Sequence, residues 1–98
     1  MIKEGILALA VTVTAYIPAN NVGAIMEPVL PGLTCAVSRD QKHLLRQWVN
    51  IAGVGWRYCN DLTHKRFRKR IDVAVGSYQE GVDIGGCFKS EITQKEDK

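Results

Sequence analysis

The segment Arg70–Val75, with the sequence RIDVAV, has the clearest strand pattern in this chain. Branched apolar residues at positions 71, 73 and 75 alternate with Asp72 and Ala74. Successive side chains of a strand point to opposite faces, so the branched side chains share one face and Asp72 and Ala74 share the other. If the branched face packs inward, Asp72 and the small Ala74 line an open face or groove.

Other segments indicate further short strands on both sides of this one. The strand-like segments are residues 6–17, 33–37, 48–51, 56–60 and 87–92. Gly53-Val54-Gly55 is predicted to be the turn of a hairpin, and residues 39–47 and 77–83 are predicted to form short helices. Six short strands with glycine punctuation and few helices predict a mainly β fold, a small barrel rather than a layered βαβ unit.

The length of 98 residues allows one domain, predicted over residues 1–90, followed by a polar tail at 91–98. Hydrophobic residues make up 46% of the chain and charged residues 23%, which is typical of globular domains and argues against global disorder. No apolar run reaches the ~18 residues of a membrane span. We expect the domain to begin close to Met1, because Glu4 offsets Lys3 and the apolar stretch continues into strand-like alternation rather than resembling a signal peptide.

Basic residues are concentrated in the segment Lys65–Arg70, where five of six residues are Lys or Arg around Phe67. The net charge of only +3 is a mild excess. One hypothesis is that these cations bind nucleic-acid phosphates while Phe67 stacks on a base. The simpler interpretation, which we favour, is a solvated loop that binds anionic polymers weakly.

The three cysteines, Cys35, Cys59 and Cys87, form no CxxC pair, so the sequence does not support a zinc site. We predict three small buried side chains. One disulfide with a leftover thiol is the alternative.

Asp72 is a candidate general acid because aspartate is depleted in strands and this one lies between apolar neighbours. Desolvation there would favour the neutral carboxyl, which a proton donor requires. The alternative is that Asp72 pairs with Arg70 or Arg66 and only fixes the strand geometry.

Five sequence blocks together resemble the three-aspartate (3D) domain family, in the same order and from about Val11 to Gly85. The blocks are residues 12–16 (TVTAY), 35–40 (CAVSRD), 49–55 (VNIAGVG), 60–61 (ND) and 70–73 (RIDV). Members of that family are double-psi β-barrels found in lytic transglycosylases of the bacterial cell wall. The resemblance therefore implies a double-psi barrel that cleaves peptidoglycan.

The resemblance also implies roles for individual residues. Asp72 corresponds to the catalytic acid/base, Asp61 to a supporting second aspartate, and Asp40 to the first, a place for which Ser38 competes. Tyr16 would line the groove. Arg66 and Arg70 are expected to contact the substrate.

The implied reaction is non-hydrolytic cleavage of the β-1,4 bond between N-acetylmuramic acid and N-acetylglucosamine, with a 1,6-anhydro product and no metal or cofactor. An active enzyme of this kind would act in the cell envelope or outside the cell. Without a convincing signal peptide, a cytoplasmic or phage-associated location is the alternative.

The loop between the last two aspartates departs from the family. Many members have glycines there, whereas this chain has Leu62–Arg70, with the bulky sequence LTHKRFRKR. Glycine would let a sugar approach the backbone closely. This departure favours an alternative function, a catalytically inactive barrel that serves as a structural or binding module, for instance in a phage particle.

Overall fold

The computed structural model describes residues 7–19 and 22–94. Its strands are β1 (Leu7–Tyr16), β2 (Thr34–Val37), β3 (Trp48–Ile51), β4 (Gly55–Leu62), β5 (Arg70–Ala74) and β6 (Cys87–Gln94). A 3-10 helix spans Arg39–Leu44 and the helix α1 spans Tyr78–Asp83. Every predicted strand and both predicted helical segments are found, with bounds that differ by a few residues.

The six strands close into one barrel in the order β1-β5-β2-β4-β3-β6. β5 pairs in parallel with β1 and antiparallel with β2, and β2 pairs in parallel with β4. The β3–β4 hairpin and β6 complete the circle with antiparallel pairs. Closure leaves no strand edge unpaired in the ring. The predicted mainly β, six-stranded barrel with two short helices is confirmed.

The barrel interior is filled by the branched side chains that the alternation assigned to one face. Val13, Val37, Ile51, Ile71 and Val73 are all fully buried. Each such side chain contributes about 1.5–3 kcal/mol when it leaves water. The opposite face of β5 therefore points outward, and it carries Asp72. Ala74 of the same face is fully buried, so the prediction that it lines an open face is wrong.

The irregular residues 22–33 fold over the outside of the barrel beside β4. The Asn60 side-chain amide donates a hydrogen bond to the Pro28 carbonyl at 2.6 Å. A Cβ atom on Gly23 would lie 2.6 Å from the Asn60 carbonyl oxygen, so only glycine permits this approach. The segment thus forms a wall over part of the outer surface next to Asp61.

Helix α1 begins at a side-chain cap. The Ser77 hydroxyl accepts a hydrogen bond from the Glu80 amide at 3.2 Å, while a Glu80 carboxylate oxygen accepts one from the Gly76 amide at 2.7 Å. This arrangement is a variant of the capping box. Neither helix in the described parts of the chain is long and apolar enough to cross a membrane.

Two details differ from the sequence predictions. Residues 91–94, which were expected to belong to a polar tail, are part of β6, and Ile92 is buried between β1 and β3; residues 95–98 lie outside the described residues. Cys35 and Cys59 are buried as predicted, but Cys87 is exposed, so that part of the prediction is wrong. Cys87 opens β6 opposite Thr14, on the outward side of the barrel.

Candidate active site

Four adjacent strands bring a row of outward-facing residues together. Asp72 of β5 lies opposite Thr14 of β1 on one side and opposite Ala36 of β2 on the other. Ala36 in turn lies opposite Asp61 of β4. Residues directly opposite each other in neighbouring strands share a face. The two aspartates therefore flank one small alanine side chain, although they are eleven residues apart in the chain.

Asp72 is half-buried and carries its hydrogen bond on one oxygen. The Thr14 hydroxyl donates to Asp72 Oδ1 at 2.9 Å. Desolvation raises the pKa of Asp72, and the negative charge of Asp61 raises it further, while the Thr14 hydrogen bond and the Arg70 charge act in the opposite direction without outweighing burial. Asp72 therefore holds its proton to higher pH than an exposed aspartate does.

The alternative in which Asp72 is locked to an arginine is not what the structure shows. Arg46–Glu27 is the salt bridge found within residues 7–19 and 22–94, and it does not involve Asp72. Instead, Arg70 Nε donates to the Thr14 hydroxyl oxygen at 3.1 Å, and that hydroxyl donates to Asp72. A threonine hydroxyl can accept one hydrogen bond and donate another, so Thr14 can bond to Arg70 and Asp72 at the same time. Arg70 thus acts on Asp72 through Thr14 rather than by direct pairing.

Asp61 is held by three donors from three parts of the chain. The Tyr16 hydroxyl donates to Asp61 Oδ2 at 3.0 Å. The Ala24 and Leu62 amides donate to Oδ1 at 2.8 and 2.9 Å. Both oxygens of Asp61 therefore act as hydrogen-bond acceptors within the fold. The two acids consequently occupy different surroundings.

Tyr16 is the phenol that links β1 to Asp61. Burial raises its pKa, and the charge of Asp61 raises it further, so the phenol stays protonated and can act only as a donor towards that carboxylate. Tyr16 also lines a hollow of about 350 Å³ that runs between the end of β1 and α1, next to the exposed Tyr78. Neither Asp61 nor Asp72 lines this hollow, so the role of Tyr16 in a substrate groove stays a prediction.

Asp40 does not join the other two aspartates. It is exposed, and both of its carboxylate oxygens accept from the Lys69 amide, at 3.0 and 3.2 Å. Desolvation is the largest single influence and raises the pKa of Asp40, but the hydrogen bonds from Ser38 and Lys69 together outweigh it and hold the pKa below its usual value. The Ser38 hydroxyl is itself buried and accepts from the Arg70 amide. Ser38 and Asp40 thus hold the chain at the start of β5. Of the three aspartates expected in one cluster, only Asp61 and Asp72 lie together.

The arginines predicted to bind substrate lie on one aromatic ring. The guanidinium carbon of Arg70 is 3.9 Å from the Phe67 ring centroid and that of Arg66 is 4.9 Å away, so both are cation–π contacts. Arg70 reaches the site through Thr14, and Arg66 is exposed beside it. The structure thus brings Tyr16, Arg70 and the two aspartates together, with Arg66 at the margin.

Thr14 and Ala24 are site residues that the sequence reasoning did not single out. A signal existed for Thr14, because it is two residues from Tyr16 and must share its face in a strand. No signal existed for the Ala24 amide, which reaches Asp61 only because residues 22–33 fold over β4. Among the residues described, no group of three His, Cys, Asp or Glu side chains is placed to hold a metal ion.

Comparison with known proteins supports the fold assignment alone. No protein-family model matches the chain, and no curated protein sequence matches it. The apo structure of an expansin from Clavibacter michiganensis is similar, with a TM-score of 0.69, 14% identity, and coverage of 94% of this chain and 52% of that one. An Asp-to-Asn variant of that expansin in complex with cellohexaose gives a TM-score of 0.60 at 12% identity, covering 94% and 51%. This chain therefore spans about half the length of those proteins and shares a double-psi β-barrel with them.

Proposed function

We propose that this barrel binds glycan strands across the Asp61–Asp72 row and cleaves peptidoglycan as a lytic transglycosylase. The observation that carries the proposal is Asp72, a half-buried carboxyl with a raised pKa. It forms no direct salt bridge within the described residues, and a second carboxyl lies one alanine away. Such a group can be protonated when the substrate arrives and ionised after it has reacted.

The reaction needs one group that is first an acid and then a base. Protonated Asp72 donates its proton to the glycosidic oxygen as the bond to the muramic acid C1 breaks and positive charge develops on that ring. The Asp72 carboxylate then removes the proton from the O6 hydroxyl of the same sugar, and O6 bonds to C1. The anhydro ring closes, and Asp72 regains its proton. No water is consumed, so the carboxylate pair of a hydrolase is not required.

The neighbouring residues have supporting roles in this proposal. The charge on Asp61 favours the protonated form of Asp72 before the reaction. Tyr16 orients Asp61, and Thr14 with Arg70 stabilises the Asp72 carboxylate that forms during it. Arg66 and Arg70 would contact acidic groups on the glycan. The expansin whose solved structure is a complex with cellohexaose has the same fold over about half of its length, which supports an oligosaccharide as the ligand class.

The test is the release of 1,6-anhydro-muropeptides from purified sacculi, measured by mass spectrometry. Asp72→Asn should abolish release, because an amide cannot donate or recover the proton. Asp40→Asn is the matched control, since that aspartate binds the Lys69 amide away from the pair, and it should retain most of the activity. Failure of the unmodified protein to release anhydro products, with its fold verified by circular dichroism, would reject the enzymatic proposal.

The second candidate is a barrel that binds an anionic polymer without cleaving it. It is favoured by the bulky basic loop at residues 62–70, where the side chains of Lys65, Arg66 and Arg68 are exposed. Nucleic acids and anionic wall polymers would both bind such a loop, and the affinity would fall steeply with salt. Salt-dependent binding that disappears when Lys65, Arg66 and Arg68 are replaced by Gln, without any anhydro products, would support this candidate.

A further inference from the structure

A second concave surface lies on the outer side of the β3–β4 hairpin, which the proposed reaction does not use. It is a hollow of about 200 Å³ between that hairpin and residues 27–33. Trp48 and Tyr58 form one side, Leu30 and Leu33 form the other, and Asn60 belongs to the lining. Asn60 immediately precedes Asp61, so the hollow and the candidate active site adjoin along β4.

The aromatic side of the hollow is built by the strand register. Trp48 and Tyr58 are direct partners across the hairpin, with ring centroids 5.4 Å apart and an interplanar angle of 48°. Trp48 is 47% exposed. An aromatic side chain of this size usually contributes its area to a core or an interface. A tilted aromatic pair that is open to solvent offers flat apolar surface on which the C–H face of a sugar ring can stack.

The opposite side is apolar and also open. Leu30 is 46% exposed and Leu33 is 42% exposed, and they face the hollow together with Pro28. Exposed apolar residues that gather around one concavity indicate a binding surface more often than isolated ones do. A small apolar substituent of a ligand, such as a methyl group, would be desolvated between these leucines and the aromatic pair.

Asn60 supplies an unused hydrogen-bond acceptor. Its residue exposure is only 1%, and its Nδ2 donates to the Pro28 carbonyl at 2.6 Å. Its Oδ1 is buried and accepts no hydrogen bond from any group in the described parts of the chain. Buried polar atoms are nearly always paired, so this one is suited to a donor brought by a ligand.

We infer that the hollow is a subsite for an N-acetylhexosamine ring of the glycan. The ring would stack on Trp48 and Tyr58, its acetamido N–H would donate to Asn60 Oδ1, and its acetyl methyl would lie against Leu30 and Leu33. The inference rests on the glycan-binding part of the proposed function, but not on cleavage. Tyr58 and Asp61 are three positions apart in β4, about 10 Å along an extended strand, so one glycan strand would occupy this subsite and the acid pair together.

The charge at the rim selects against a phosphate-bearing ligand. Glu27 belongs to the hollow, and the neighbouring Arg46, 3.6 Å from it, offsets its charge only in part because the pair is exposed to solvent. The lining contains no Lys, Arg or His. A stacked nucleobase would bring its phosphodiester towards this carboxylate, whereas an uncharged sugar avoids that repulsion.

The two tryptophans give a direct binding assay. In a Trp56→Phe protein, Trp48 is the single tryptophan of the chain and reports the hollow by its fluorescence. We expect a hexamer of N-acetylglucosamine to change the emission saturably, with an affinity at least tenfold higher than that of cellohexaose, which has no acetamido group. Equal affinity for both oligosaccharides, or no binding of the N-acetylated hexamer, would overturn the assignment.

Matched variants locate the binding. Trp48→Ala and Trp56→Ala remove equally exposed side chains, at 47% each, from the same outer face of the hairpin, but only Trp48 lines the hollow. Measured by calorimetry, the affinity for the N-acetylated hexamer should fall at least tenfold in Trp48→Ala and less than twofold in Trp56→Ala. Leu33→Asp, at an exposed position, should also lower the affinity for the N-acetylated hexamer. This variant provides the test if Trp48→Ala does not fold. Equal effects of the two tryptophan variants, or no effect of Leu33→Asp, would overturn the subsite.

The outcome is separable from that of the proposed reaction. Asp72→Asn should release no anhydro product but should keep the preference for the N-acetylated hexamer over cellohexaose that Trp48 reports. Binding without any anhydro product from the unmodified protein would reject the reaction and leave the subsite standing. Anhydro product formation that is insensitive to Trp48→Ala and Leu33→Asp, with no preference for the N-acetylated hexamer, would reject the subsite and leave the reaction standing.

Discussion

Replacing Asp72 by Asn should make the protein more stable at neutral pH, although it removes the group proposed to do the chemistry. Burial raises the pKa of Asp72, so the folded protein holds the ionised form less favourably than the unfolded chain does. Below the unfolded pKa of ~3.9 both states are protonated and no penalty exists. As pH rises from the unfolded pKa to the folded pKa, the free-energy cost of ionising Asp72 in the folded protein grows. Above the folded pKa this cost is constant. An uncharged Asn never incurs it.

The size of the gain follows from the environment of the carboxyl. Asp72 is only half-buried, so the cost of taking its charge out of water lies at the low end of the roughly 1–3 kcal/mol found for buried polar groups. An Asn at this position keeps an oxygen that can accept from Thr14, so we expect a gain of about 1 kcal/mol at pH 7. For a domain of 98 residues that is a rise in Tm of about 4–8 °C.

The assay is thermal unfolding followed by circular dichroism at pH 7 and at pH 3. The Tm difference between Asp72→Asn and the unmodified protein should be positive at pH 7 and close to zero at pH 3. Asp40→Asn provides a control of opposite sign. Hydrogen bonds lower the pKa of Asp40, so its contribution is favourable above the unfolded pKa and is lost as pH falls. A lower Tm for Asp72→Asn at pH 7, or a difference independent of pH, would refute the reasoning.

Three further predictions concern other parts of the same structure. Tyr16→Phe removes one of three donors to Asp61 and should lower the rate of anhydro product release about tenfold, with the far-ultraviolet spectrum unchanged; an unaltered rate would argue against a role for the phenol. In the folded protein a thiol reagent should titrate one cysteine, the exposed Cys87, and three after denaturation, because Cys35 and Cys59 are buried with free thiols; a count of one under both conditions would indicate a disulfide instead. Gly23→Ala should destabilise the fold by about 1–3 kcal/mol in urea unfolding, since its Cβ would lie 2.6 Å from a backbone oxygen; an unchanged midpoint would show that the loop yields.

The strand pattern was readable from the sequence because side-chain alternation is a local property. The period of two in Arg70–Val75 assigned Ile71 and Val73 to the interior and Asp72 to the outside, as the structure has them. The Gly53-Val54-Gly55 turn and the Ser77 cap are equally local. Six strands, two short helices and a mainly β class required no knowledge of the contacts between them.

The composition of the site, in contrast, depends on which strands become neighbours. Asp61 and Asp72 approach each other only because β2 inserts between β4 and β5 and presents Ala36 to both. Asp40 has the same side chain, but the Lys69 amide captures it before β5 begins. Alternation along one strand carries no information about such pairings, and the approach of the two acids was expected only from a family resemblance.

The sequence by itself therefore determined the strands, their inward faces and the outward direction of Asp72, since each follows from residue type and a period of two. Only the tertiary structure decided that Asp61 meets Asp72, that the Ala24 amide from residues 22–33 reaches Asp61, and that Trp48 and Asn60 line one hollow. Barrel closure pairs residues far apart in the sequence, such as Thr14 and Asp72, which are 58 positions apart, and Leu7 and Gln94, which are 87 apart. That pairing is settled by burial of the whole core at once, and no short segment encodes it.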